Sequence, residues 1–95
     1  MTLAEMKLAL RISTNALDSQ ITGEINSAMA EMVRAGLSSA AFTSEVALTD
    51  RAIESYVKAL HAATLSDREG YQKSFELQLD QLRKTYPSER SESNV

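Results

Sequence analysis

The sequence predicts an all-α protein, a small bundle of about four helices followed by a flexible polar C-terminal tail. Three observations carry that prediction. Apolar residues recur at spacings of three and four over most of the chain, and the one segment that reads as a possible strand, 42–48, has no evident partner. Ser/Thr-x-x-Glu patterns stand at Thr2–Glu5 and Ser66–Glu69, each where a helix would begin. Gly36 and Pro87 stand where helical patterns stop.

The first helix is expected from Thr2 and Glu5, whose side chains suit a reciprocal cap, with Leu3, Met6 and Leu10 on one face. Leu8 falls on the opposite face. Arg11–Asn15 reads as a connector in which Ser13, Thr14 and Asn15 are all able to cap the second helix. That helix carries Leu17, Ile21, Ile25, Ala28, Met29, Met32 and Val33 at helical spacing as far as Ala35. Gly36 ends it, because glycine enters the left-handed region without a Cβ penalty. Gly23, inside it, marks either a close backbone approach or a tolerated exposed position. Leu37–Thr49 is rich in Ser, Thr and Ala and reads as a loop with one short helical turn, Phe42 plugging the edge of the core.

Asp50 or Thr49 is expected to cap the third helix, with Ile53, Tyr56, Val57 and Leu60 as its apolar stripe. Ala52, Ala59 and Ala63 form an adjoining face of small residues that lets a neighbouring helix come close. Ser66 and Glu69 suit a second capping box, and Asp67 places a negative charge where the helix dipole favours one. Tyr71, Phe75, Leu79, Leu82 and Tyr86 then define the stripe of the fourth helix, with Leu77 pointing away from it. One domain over residues 1–86 and a polar tail over 87–95 are the expected organisation, since that tail has nothing to bury.

Composition narrows the function classes. A chain of 95 residues permits a single thin core, with roughly 64% of the unfolded surface removed from water. The formal charge is −3 and the pI about 5.1, which argues against a surface that grips phosphates through clustered Lys and Arg. With no cysteine there is no disulfide framework, thiolate nucleophile or Cys-based metal site. No basic leader precedes an apolar run and no stretch suits a membrane span, so a cytoplasmic setting without membrane contact is expected.

No residue set announces catalysis, metal binding or a cofactor. His61 is the only histidine and flanks the Ile53–Leu60 stripe, where a structural role is the simpler reading. Asp67, Glu69 and Gly70 lack the alternating ligands of a calcium loop. The fourth helix carries Arg68, Lys73, Arg83 and Lys84, but Glu69, Glu76 and Asp80 interleave with them as on a solvated face. Met6, Met29 and Met32 sit on apolar stripes and read as core filler. Leu8 and Leu77, each off its own stripe, are the candidates for a subunit or partner contact, together with Tyr86 at the end of the last helix.

The order of these features resembles a known family. A short capped helix, Thr2-Leu-Ala-Glu-Met-Lys-Leu-Ala-Leu-Arg-Ile, precedes a longer helix with Ile21, Ile25 and Met29 on one face and then a variable loop. Asp50-Arg-Ala-Ile-Glu-Ser-Tyr-Val-Lys-Ala-Leu comes next, and a polar connector leads to Glu69-Gly-Tyr-Gln-Lys-Ser-Phe-Glu-Leu-Gln-Leu-Asp-Gln-Leu-Arg. Residues 2–86 in this arrangement are similar to the head–tail connector proteins of tailed bacteriophages, also called head-completion or DNA-packaging proteins. The most telling pieces are Ala52-Ile53, Tyr56-Val57, Tyr71, Phe75, Leu79 and Leu82, which match the family's closing helix pair. One departure is Ser13-Thr-Asn-Ala-Leu-Asp, where the family often opens its second helix with an acidic pair.

The resemblance implies a non-enzymatic structural protein of the virion, present in the host cytoplasm during assembly. Such proteins form a homo-oligomeric ring of about a dozen copies beneath the portal protein. They extend the DNA channel, retain packaged DNA and dock a tail-side connector or stopper protein, while DNA passes without sequence-specific binding. A mildly acidic subunit suits a channel in which DNA must slide. The alternative from a different class is a small helical adaptor or regulator that binds a partner protein or, weakly, DNA.

Overall fold

Helix α1, Leu3–Leu10, begins with the expected reciprocal cap: Glu5 N–H donates to Thr2 Oγ1 at 3.1 Å and Thr2 N–H to Glu5 Oε1 at 2.8 Å. The structure, a computed structural model, describes residues 1–88. Met6 is the one fully buried residue of α1. The helix closes through Arg11 in the left-handed region, φ 59° and ψ 41°, with Ile12 N–H donating back to the Lys7 carbonyl at 2.9 Å.

Helix α2, Asp18–Arg34, buries Ile21, Ile25, Ala28 and Met32 on one face, with Leu17 and Met29 packed at its margin. No side chain caps its N-terminus. The expected caps serve the connector instead: Thr14 Oγ1 accepts from Ala16 N–H, and Asn15 accepts from Lys7 Nζ. Lys7 Nζ also lies 2.9 Å from Asp18 Oδ1, which is held by that charge without a hydrogen bond aligned to it. Val33, expected on the stripe, is 45% exposed because it falls past the edge of the buried arc. The helix ends as expected at Gly36, φ 109°, with Leu37 N–H donating to the Met32 carbonyl at 3.1 Å. Gly23 is an exposed position, since an added Cβ would meet nothing within 4 Å.

The segment 37–49 is more helical than its composition suggests. Helix α3 spans Ala41–Ser44, and α4 spans Val46–Leu60, beginning four residues before Asp50. Neither Thr49 nor Asp50 is a cap. Thr49 is 1% exposed inside α4, where its hydroxyl donates to its own helix at the Glu45 and Val46 carbonyls. Asp50 accepts from the Met1 ammonium at 2.7 Å. The residue that flanks α4, Glu45, makes no side-chain cap, so no capping signal exists at the true boundary. Phe42 packs against the core edge as expected.

Helix α4 is the centre of the bundle. Ile53 and Val57 are buried, with Ala52 and Ala59 buried beside them, whereas Leu60 is 51% exposed and Ala63 lies in the exposed turn. Helix α5, Leu65–Thr85, starts from Thr64, whose Oγ1 accepts from Asp67 N–H at 3.1 Å, so Ser66 lies inside the helix and is not its cap. Helix α5 runs antiparallel along α4, the most extensive pairing in the fold. Phe75, Leu79 and Leu82 are its buried residues, and the Tyr56 and Phe75 rings meet edge to face at 5.3 Å. A polar seam crosses the pair where Ser55 Oγ donates to Gln78 Oε1 at 3.0 Å. Tyr71, expected in the core, is 37% exposed, because residues 65–74 are all exposed and the ring sits under Lys58, 5.9 Å from its Nζ.

The chain leaves α5 under restraint. Ser38 N–H donates to the Tyr86 carbonyl and Ser88 N–H to the Gly36 carbonyl, both at 2.8 Å, which sets Leu37 opposite Pro87 in a single antiparallel bridge. Leu37 and Pro87 form the pair whose own N–H groups take no part in the bridge, so the N–H that proline lacks is not needed there. Arg83 Nη1 donates to the Ala35 carbonyl at 2.8 Å and ties α5 to the same corner. The expected polar tail therefore begins with two held residues, Pro87 and Ser88; its remainder, 89–95, lies outside the described residues.

Candidate interaction surface

Among the three residues singled out as contacts, Leu8 stands out most. It is 80% exposed and, with Leu3, Ala4, Lys7 and Ile12, lines an open, mainly apolar depression on the outer side of α1. The depression follows from the helix itself. Met6 turns inward, so the residues two before and two after it turn outward. Ile12 joins them because the left-handed turn at Arg11 folds the chain back over the end of α1.

Leu77 is 57% exposed and stands two residues from both Phe75 and Leu79, so it faces away from α4. Its neighbours one helical turn away are Lys73, Ser74, Asp80 and Gln81, which leaves it a lone apolar side chain on a polar face. Tyr86 is half-buried against the core, and its hydroxyl makes a long bond of 3.4 Å to Glu45 Oε1. The three do not form one patch: Leu8 is on α1, Leu77 on the far side of α5 from the core, and Tyr86 at the corner where α5 ends.

Sequence reasoning missed one polar contact that organises the molecule. His61 Nε2 lies 2.6 Å from Glu24 Oε1, joining the end of α4 to the middle of α2, with side chains only 20% and 16% exposed. His61 could be placed beside the apolar stripe, but nothing local announces a partner 37 residues away. Among the described residues no hydroxyl or other nucleophile is hydrogen-bonded to the ring. Arg11, Lys58 and His61 also line an open cleft between the end of α1 and the α4–α5 turn, with Asp67 and Tyr71 on its other side.

Among the described residues no three His, Cys, Asp or Glu side chains converge to hold a metal ion, and no described helix is long and apolar enough to cross a membrane. The exposed cations of α5, Arg68, Lys73 and Lys84, alternate with Glu69, Glu76 and Asp80 and build no single-sign stripe. Comparison with known protein families, curated proteins and solved structures gives no match to this chain.

Proposed function

We propose that the protein is a structural head–tail connector subunit of a tailed bacteriophage or prophage. In this reading copies assemble as a ring beneath the portal, lengthen the DNA channel and offer a platform to the next tail component. The observation that carries it is the closing helix pair. Ile53, Val57, Phe75, Leu79 and Leu82 fill the core from α4 and α5 at the positions on which the resemblance rests. Meanwhile Leu8 and Leu77 stay outside, unused by the fold and free for neighbours. The mixed charges of α5 support a surface along which DNA slides, since counterion release needs cations that are not answered by carboxylates.

Electron microscopy of the purified protein, alone and mixed with portal rings encoded near its gene, tests the proposal. Closed rings, or added density on the tail side of the portal, are the expected result. A protein that stays monomeric at high concentration and also ignores the portal would sink it.

A further inference from the structure

Helix α5 packs on α4 through Phe75, Leu79 and Leu82, and α4 is the one helix it lies along. At about 100° per residue the opposite side of α5 carries Gly70, Lys73, Leu77, Gln81 and Lys84, all exposed. We propose that this outward face is a contact between two copies of the chain, with their α5 helices antiparallel and crossing at Leu77.

The order of the charges is what selects a second copy. Glu69, Lys73, Asp80 and Lys84 lie along the same edge of the face. In an antiparallel pair related by a twofold axis, each edge meets the same edge of the other helix in reversed order. A residue some places before Leu77 therefore stands beside one about as many places after it. Lys73 is four places before and Asp80 three after, so Lys73 of one copy comes beside Asp80 of the other. Glu69, eight before, meets Lys84, seven after, in the same way. Symmetry makes each contact twice. Glu76 stands next to the centre but is turned furthest from the contact.

Neighbouring registers lack this match. A crossing point between Lys73 and Ser74 sets Lys73 against Lys73 and Glu69 against Glu76. One between Asp80 and Gln81 sets Asp80 against Asp80 and Lys84 against Leu77. The charges are also available. Among the described residues Glu69, Lys73 and Lys84 make no hydrogen bond or ion pair, and Asp80 is answered only by Arg83, one turn on.

At the centre Leu77, 57% exposed in one copy, packs against Leu77 of the other and leaves water. Gly70, where an added Cβ would meet nothing within 4 Å, leaves room for the stem of Lys84 from the other copy. One helix face with one leucine buries less than the roughly 800 Å² per partner of a standard interface, so the pair is weak and reversible. It closes on itself and does not depend on the connector reading, since a ring needs two different surfaces. A copy paired in this way cannot offer Leu77 to a ring neighbour, so the pair belongs to the free protein.

The test is sedimentation equilibrium of the full chain up to about 1 mM, at low and high salt. A monomer–dimer equilibrium that weakens with salt is expected. Lys73→Glu and Asp80→Lys should each weaken it about tenfold or more, because each sets like charges together. An equimolar mixture of these two variants should dimerise again, since opposite signs meet at both edges of the mixed pair. Glu69→Lys and Lys84→Glu repeat the test without touching Arg83, and amide spectra at low concentration check that every variant is folded. A parent that is monomeric or found only in larger assemblies, single variants that dimerise like the parent, or mixtures that stay monomeric overturn the contact. Failure here leaves binding to portal rings untouched, and failure to bind portal leaves this equilibrium untouched, so the two readings fail separately.

Discussion

Arg11 and Gly36 hold the same backbone post with opposite side-chain economies. Each stands just past a helix, at φ 59° and 109°, and each is followed by a residue that bonds back five positions. Gly36 was legible in the sequence because glycine is the usual signal; Arg11 was not, because nothing in an arginine announces a left-handed turn. Gly36→Ala should therefore lower stability by about 1–2 kcal/mol, and Arg11→Gly should raise it by about 1 kcal/mol, in urea unfolding. Gly23→Ala, with open space around it, should also raise stability, by roughly 1 kcal/mol. Glu5 sets a pH dependence of known sign. The N–H and hydroxyl of Thr2 hold its carboxyl below the usual range, so its contribution is present above the unfolded value and lost as pH falls through the lower folded one. The protection of α1 amides, measured against their intrinsic exchange rates, should fall on acidification below about pH 4, and Glu5→Gln should remove that step.

At the scale of elements, α4 is where sequence reasoning was both strongest and weakest. Its core positions Ile53 and Val57 followed from spacing, but its start did not, because Glu45 makes no cap and Thr49 turns its hydroxyl to its own helix. A buried threonine whose hydroxyl is satisfied within one turn looks, in sequence, the same as a capping one. The His61–Glu24 bridge was out of reach for another reason: it joins α2 to α4 across a separation that no periodicity encodes. Its energetics are asymmetric. His61→Ala strands a carboxylate that is only 16% exposed, whereas Glu24→Ala leaves a ring able to remain uncharged. His61→Ala should cost about 1–3 kcal/mol, and more than Glu24→Ala, with the double mutant less destabilised than the sum. Equal single-mutant costs that simply add would show that the two side chains do not act as a pair.

For the whole molecule, the division between what folds and what is left over matters more than any single contact. The all-α class and the α4–α5 pairing were legible because one apolar stripe per helix suffices to specify them. The placement of Tyr71 and Leu60 was not, since a stripe says which face turns inward but not how far along the helix its neighbour extends. Helix α5 shows this directly: only its second half is covered, and residues 65–74 stay in water. Leu8 and Leu77 are thus exposed on opposite kinds of surface, one in an apolar depression and one alone among polar groups. Replacing either by glutamate should change monomer stability by less than about 0.5 kcal/mol, because neither side chain contributes to the core. A ring needs two different surfaces on each subunit, so a contact that uses Leu8 on one copy and Leu77 on the next would fail in either single variant. Light scattering and electron microscopy of Leu8→Glu and Leu77→Glu should then show folded protein that no longer closes rings. If both variants assemble as the parent does, these leucines are ordinary exposed residues and the subunit contact lies elsewhere on the molecule.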